Sequence, residues 1–148
     1  MTQDAESLSV LVVEDNPLNA KLTRLVLQQD GCRIETAPNA AQALEILSRF
    51  RPRVILMDLQ LPGMDGFELT RQIKRDPALS GVLVIALTAY AMKGDEERAF
   101  AAGCDGYIPK PIETRTLMGQ ILACLAKHEE SAGSADASGA DRSSQNTE

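Results

Sequence analysis

Five short apolar runs, each followed by a segment of helical character, constrain this chain more than any other feature of its sequence. The runs are Leu8–Val13, Cys32–Thr36, Val54–Met57, Val82–Leu87 and Gly106–Ile108. Such alternation predicts successive strand–helix units, whose parallel strands share one sheet with helices on both faces. Val54–Met57 and Val82–Leu87 are apolar at every position, which fits strands covered on both sides. A chain of 148 residues holds one such domain and little more.

The helices carry their own signals. Asn16 can cap the first, and Pro17 suits its first position. Leu18, Leu22, Leu25 and Val26 follow at helical spacing, and Gly31 ends the helix. A second helix is expected over about Asn39–Phe50, with Ala40, Leu44 and Leu47 on one face. A third spans about Gly66–Arg75, with Leu69 and Ile73 in phase. The fourth, about Met92–Ala101, has few apolar anchors, which predicts a loosely held element. The last covers about Glu113–Lys127, with Leu117, Ile121, Cys124 and Leu125 in phase.

The expected organisation is an N-terminal extension at 1–7, a folded domain at 8–127 and a tail at 128–148. From Glu129 onward there is no Leu, Ile, Val or aromatic residue, so burial cannot offset ordering entropy and disorder is expected. The net charge of −6 and the 3% aromatic content argue against nucleic-acid binding, which needs a basic footprint and stacking platforms. No apolar stretch has the length of a membrane span, and Met1–Ser7 does not read as a signal peptide. A cytoplasmic protein is expected. Cys32, Cys104 and Cys124 lack metal-ligand spacing and are expected to be reduced thiols. His128, the one histidine, is expected on the surface.

Function is carried by polar residues at the ends of the apolar runs. Glu14 and Asp15 close the first run and Asp58 closes the third. In one parallel sheet these acids open onto the edge where ligands of such sheets bind. Two unit charges about 4 Å apart repel by roughly 4 kcal/mol at an effective dielectric near 20, so three packed carboxylates call for a cation. All-oxygen ligands suit Mg²⁺, which combines one or two carboxylates with water and phosphate oxygens. Thr88 and Lys110 end the fourth and fifth runs at the same edge. Together they predict phosphoryl chemistry. Asp58 is the carboxylate nucleophile, Glu14 and Asp15 hold Mg²⁺, Lys110 neutralises phosphoryl charge, and Thr88 donates a hydroxyl.

Val13-Glu14-Asp15-Asn16-Pro17, Ile55 to Gly66, Ala86-Leu87-Thr88-Ala89 and Gly106 to Pro111 together resemble the receiver domain of two-component response regulators. The resemblance covers about Leu8–Lys127 and matches all five functional positions. It implies a flavodoxin-like (CheY-like) five-stranded parallel sheet of order 2-1-3-4-5 with five flanking helices. Asp58 would accept a phosphoryl group from a sensor histidine kinase or a histidine phosphotransfer protein. The backbone carbonyl of Gln60 would join Glu14, Asp15 and Asp58 around Mg²⁺. Thr88 and Tyr107 would act as the switch, remodelling the face of the fourth helix, fifth strand and fifth helix that binds a downstream protein. The Lys110–Pro111 bond would be cis. Gln60 and Tyr90 occupy the positions that tune phosphoryl lifetime in the family, and bulky Tyr90 implies minutes or longer.

Ala91 to Arg98 is similar to single-domain regulators of the DivK type and also to receivers of hybrid kinases. A phosphorelay shuttle is therefore an alternative to a binding adaptor. The protein is expected to be a phosphoacceptor rather than an enzyme, and a monomer or weak dimer. Two other classes fit less well. A haloacid-dehalogenase-type phosphatase needs a second Asp two residues after the nucleophile, where this chain has Gln60. A dinucleotide-binding fold needs a Gly-x-Gly-x-x-Gly after the first strand, which is absent.

Overall fold

The computed structural model describes residues 8–59, 66–88, 95–110 and 112–139. Gln60, Tyr90, the Lys110–Pro111 bond and the segment 1–7 lie outside the described residues. The strands are β1 (Ser9–Val13), β2 (Arg33–Ala37), β3 (Val54–Asp58), β4 (Leu83–Thr88) and β5 (Gly106–Pro109). The helices are α1 (Pro17–Gln29), α2 (Ala40–Leu47), α3 (Gly66–Arg75), α4 (Asp95–Ala102) and α5 (Leu117–Gly139). All strand pairs are parallel, in the order β2-β1-β3-β4-β5, as the resemblance implied.

Alternation along the strands builds two cores. Leu11, Val13, Ile55 and Met57 point to one face, against Ile46 of α2, Ile73 of α3 and Ala99 of α4. Val10, Val12, Leu56 and Ile85 point to the other, against Leu27 of α1 and Ile121 of α5. The sheet is thus covered on both faces, which explains why its central strands are apolar throughout.

Three expectations need correction. On α1 the face toward the sheet carries Thr23 and Leu27, while Leu18, Leu22 and Leu25 are exposed, Leu18 by 77%. Thr23 tolerates burial because its hydroxyl donates to the Asn19 carbonyl at 2.8 Å. On α2, Leu44 is likewise exposed, and Ala43 and Ile46 take the inner face. Finally, α5 starts at Leu117 and runs to Gly139, well past the end expected at Lys127. Extending a formed helix needs no new nucleus, and Ala132, Ala135 and Ala137 favour it by intrinsic propensity.

Local chemistry sets the site loops. Asn16 Oδ1 accepts from the Leu18 and Asn19 amides at 2.9 and 3.1 Å, so α1 begins directly after Glu14 and Asp15. Gly31 follows α1 with φ of 90°, a left-handed conformation that favours glycine. Gly66 opens α3 against the strand that carries Asp58. A Cβ there would lie 2.5 Å from the Asp58 carbonyl oxygen and 2.6 Å from the Leu59 Cα. Both neighbours are backbone and cannot move aside.

This contact predicts opposite effects for two glycine substitutions. Gly66→Ala should destabilise by about 1–3 kcal/mol through overpacking. Gly119→Ala, with nothing within 4 Å of its added Cβ, should stabilise by up to about 1 kcal/mol. Urea unfolding of the two variants beside wild type checks both signs.

Candidate functional site

The sheet register gathers the expected acids. Val13 of β1 pairs with Met57 of β3, so Glu14 and Asp58, the next residues along, emerge side by side. Strand pairing continues past the end of β1 through the Glu14 amide, which donates to the Ala37 carbonyl at 2.9 Å. Beyond β3, the Leu59 amide donates to the Leu87 carbonyl at 3.1 Å. Glu14 and Asp58 are buried, while Asp15 is exposed at the rim. One carboxylate oxygen from each of Glu14, Asp15 and Asp58 lies within 4.8 Å of the others.

Lys110 completes the cluster from the far side. Its amide donates to the Thr88 carbonyl at 2.8 Å, which continues the β4–β5 pairing and turns the side chain across the sheet edge. The ammonium reaches Glu14 Oε1 at 2.8 Å and donates to Asp58 Oδ2 at 3.2 Å. The Glu14 contact is the shorter of the two. Glu14 Oε2 accepts from the Asn16 amide at 3.2 Å.

The electrostatics follow from this crowding. Burial pushes the Glu14 carboxyl above its ordinary value, and the Asp58 charge adds to the rise. Lys110 and the Asn16 amide oppose it. For Lys110, burial works to lower the ammonium, but the contact with Glu14 and the charges of Asp58 and Glu14 outweigh it, and the net shift is upward. Lys110 therefore stays protonated, and the site holds three carboxylates against one ammonium.

Thr88 is buried as the last residue of β4, next to the strand that carries Asp58. Tyr107 is not part of the acid cluster. It is half-buried within β5, paired with Ala86, and packs on the core face shared by α2, α3 and α4. The residues expected at the edge are thus brought there, and Tyr107 lies between that edge and the α4 face. The close contact at Gly66 was not foreseen. The Gly after Asp65 signals a turn, but only the fold shows that the turn sits against the Asp58 carbonyl.

The donor set fits a hard divalent cation. It is all oxygen, and it brings one oxygen from each of three carboxylates within 4.8 Å of the others. Removing the ammonium takes away the cation that the described residues place against these two buried acids. Lys110→Met should therefore destabilise by about 3 kcal/mol, the low end for broken buried pairs. Added Mg²⁺ should recover more stability in the variant than in wild type, because it replaces the missing charge. Thermal melts with and without Mg²⁺ check this.

The response regulator receiver domain family matches residues 10–122. The polar-differentiation response regulator DivK of Brucella anthropi is 48% identical over 117 residues, covering 79% of this chain and 95% of that protein. The chemotaxis response regulator CheY4 of Vibrio cholerae superposes with a TM-score of 0.75 at 26% identity, covering 79% of this chain and 98% of that one. The receiver domain of the sensor histidine kinase PA1611 from Pseudomonas aeruginosa, with a magnesium ion coordinated in its active-site cleft, superposes with a TM-score of 0.69 at 37% identity, covering 76% and 92%. With the acid cluster at the parallel sheet's edge and this match over most of its length, the chain belongs to the response regulator receiver domain family.

Proposed function

We propose that this protein is a free-standing response regulator whose Asp58 takes a phosphoryl group from a phosphohistidine. The observation that carries the reading is the Lys110 ammonium held between Asp58 and Glu14 at the sheet edge. A carboxylate oxygen of Asp58 attacks phosphorus. The phosphorus–nitrogen bond breaks, an acyl phosphate forms, and the leaving imidazole takes a proton. Lys110 neutralises charge on the phosphoryl oxygens, and Thr88 donates its hydroxyl to one of them. Glu14, Asp15 and Asp58, with the Gln60 carbonyl, are the residues to hold Mg²⁺. When bound, Mg²⁺ supplies positive charge to the transferred group.

Phosphorylation of Asp58 displaces the present Lys110–Asp58 contact. Thr88 shifts toward the phosphoryl group, and Tyr107 repacks from its half-buried position beneath α4. The face of α4, β5 and α5 then changes its affinity for a protein target. α4 suits that part because, of its described side chains, Ala99 and Ala102 are the buried ones. The donor is a sensor histidine kinase or a histidine phosphotransfer protein, and the site of action is cytoplasmic. Among the described residues no helix is long and apolar enough to cross a membrane.

The likeness to DivK supports the adaptor reading, because the match spans 95% of that relative. The likeness to the receiver of a sensor kinase favours a second reading, in which Asp58 passes the phosphoryl group on to another histidine domain. Intact-protein mass after incubation with acetyl phosphate and Mg²⁺ tests the shared chemistry. Wild type should gain one phosphoryl group. Asp58→Ala should gain none, and Lys110→Met should gain it slower by about a hundredfold, as for loss of one preorganised charge donor. Equal labelling of the Asp58→Ala variant would refute the assignment.

A further inference from the structure

A second cleft shares a wall with the acid cluster. It encloses about 290 Å³ between α1 and the end of β2, with Glu14 and Asp15 at one end and Lys21 and Arg24 along its side. Lys21 and Arg24 stand three residues apart on α1, so they lie on one helix face. Among the described residues neither has a carboxylate partner within ion-pair distance. The Arg24 Nε is buried and has no acceptor. A buried donor of a charged group left without an acceptor is costly. Cations that served only to balance the nearby acids would gain most by contacting them. Here Glu14 turns to Lys110 instead, and among the described residues no ion pair joins Asp15 to Lys21 or Arg24. The remaining lining is small and mostly apolar: Pro17, Ala20, Ala37 and Pro38, with the Thr36 hydroxyl.

We propose that this cleft binds a phosphate group, inorganic or carried by a small ester, with Arg24 and Lys21 as its anchors. A guanidinium offers parallel donors to an oxyanion, and Lys adds a point charge. The apolar lining accommodates the organic part of an ester. Glu14 and Asp15 repel an anion while uncompensated, so the site works best when a divalent cation occupies the acid cluster. Anion and cation then each tighten the other by the same factor. This coupling rests on the Mg²⁺ reading given above, whereas the anion site itself does not.

The test is titration of the isotope-labelled full chain with inorganic phosphate and with glycerol phosphate, with and without Mg²⁺, followed by amide resonances. Saturable shifts are expected at Lys21, Arg24, Thr36 and Ala37. Arg24→Gln should weaken binding at least about tenfold, the loss expected for one charge-assisted contact, with Arg24→Lys intermediate. Tighter binding of the ester identifies an ester ligand, and equal binding identifies inorganic phosphate. Absence of saturable shifts in the cleft overturns the proposal, as do shifts confined to Thr88 and Lys110 that vanish in Lys110→Gln. Binding that is lost in Arg24→Gln yet indifferent to Mg²⁺ upholds the anion site and counts against the cation site instead.

Discussion

Everything at the functional edge depends on one ammonium group shared between two buried carboxylates. Without Lys110, Glu14 and Asp58 would face each other across the β1–β3 boundary with no other ion-pair cation among the described residues. With it, one carboxylate–ammonium pair is balanced and the remaining negative charge can hold a metal ion. The arrangement is poised rather than complete. Burial raises the proton affinity of Glu14, and the Asp58 charge beside it adds to the rise. A site of this kind gains from a divalent cation, and again from an added phosphoryl group that offers Lys110 a better partner. The receiver reading gives that unbalanced state a purpose.

The fold delivers this geometry through register. In a parallel sheet with β3 central, residues leaving β1 and β3 emerge together, and those leaving β4 and β5 follow alongside. Gly66 then lets the start of α3 close against the Asp58 carbonyl, so the strand bearing Asp58 is clamped by backbone. At the opposite end of the sheet, Lys74 donates to Asp105 at 2.7 Å and to the Val82 carbonyl at 3.1 Å, tying α3 to β4 and to the start of β5. Arg98 of α4 stacks over the Phe67 ring at 4.3 Å. Among its described contacts, α4 packs through Ala99 and Ala102 and through this stacked pair, which suits an element that moves.

Much of this was legible in the sequence. The apolar runs located all five strands, because strands buried on both faces, as β3 and β4 are, stand out as continuous apolar stretches, while edge strand β2 shows through its place in the alternation. Glu14, Asp15, Asp58, Thr88 and Lys110 were recognisable as strand-end residues, and the register does bring them to one edge. Helix faces were harder. Leucine spacing on α1 pointed to Leu18, Leu22 and Leu25, but Thr23 can satisfy its hydroxyl within the helix and so takes the inner face. The length of α5 was hidden because the sequence of its last turns carries no apolar periodicity, while extending a formed helix needs no new nucleus. The Arg24 cleft was not legible at all, since it arises from two segments distant in sequence.

The most direct test of the central claim is calorimetric titration of the full chain with Mg²⁺, for wild type and Asp15→Asn. The account predicts one Mg²⁺ per chain in wild type and at least about a tenfold loss of affinity in Asp15→Asn, because that variant keeps the fold but removes a ligand charge. Absence of Mg²⁺ binding by wild type, or binding unchanged in Asp15→Asn, would contradict it.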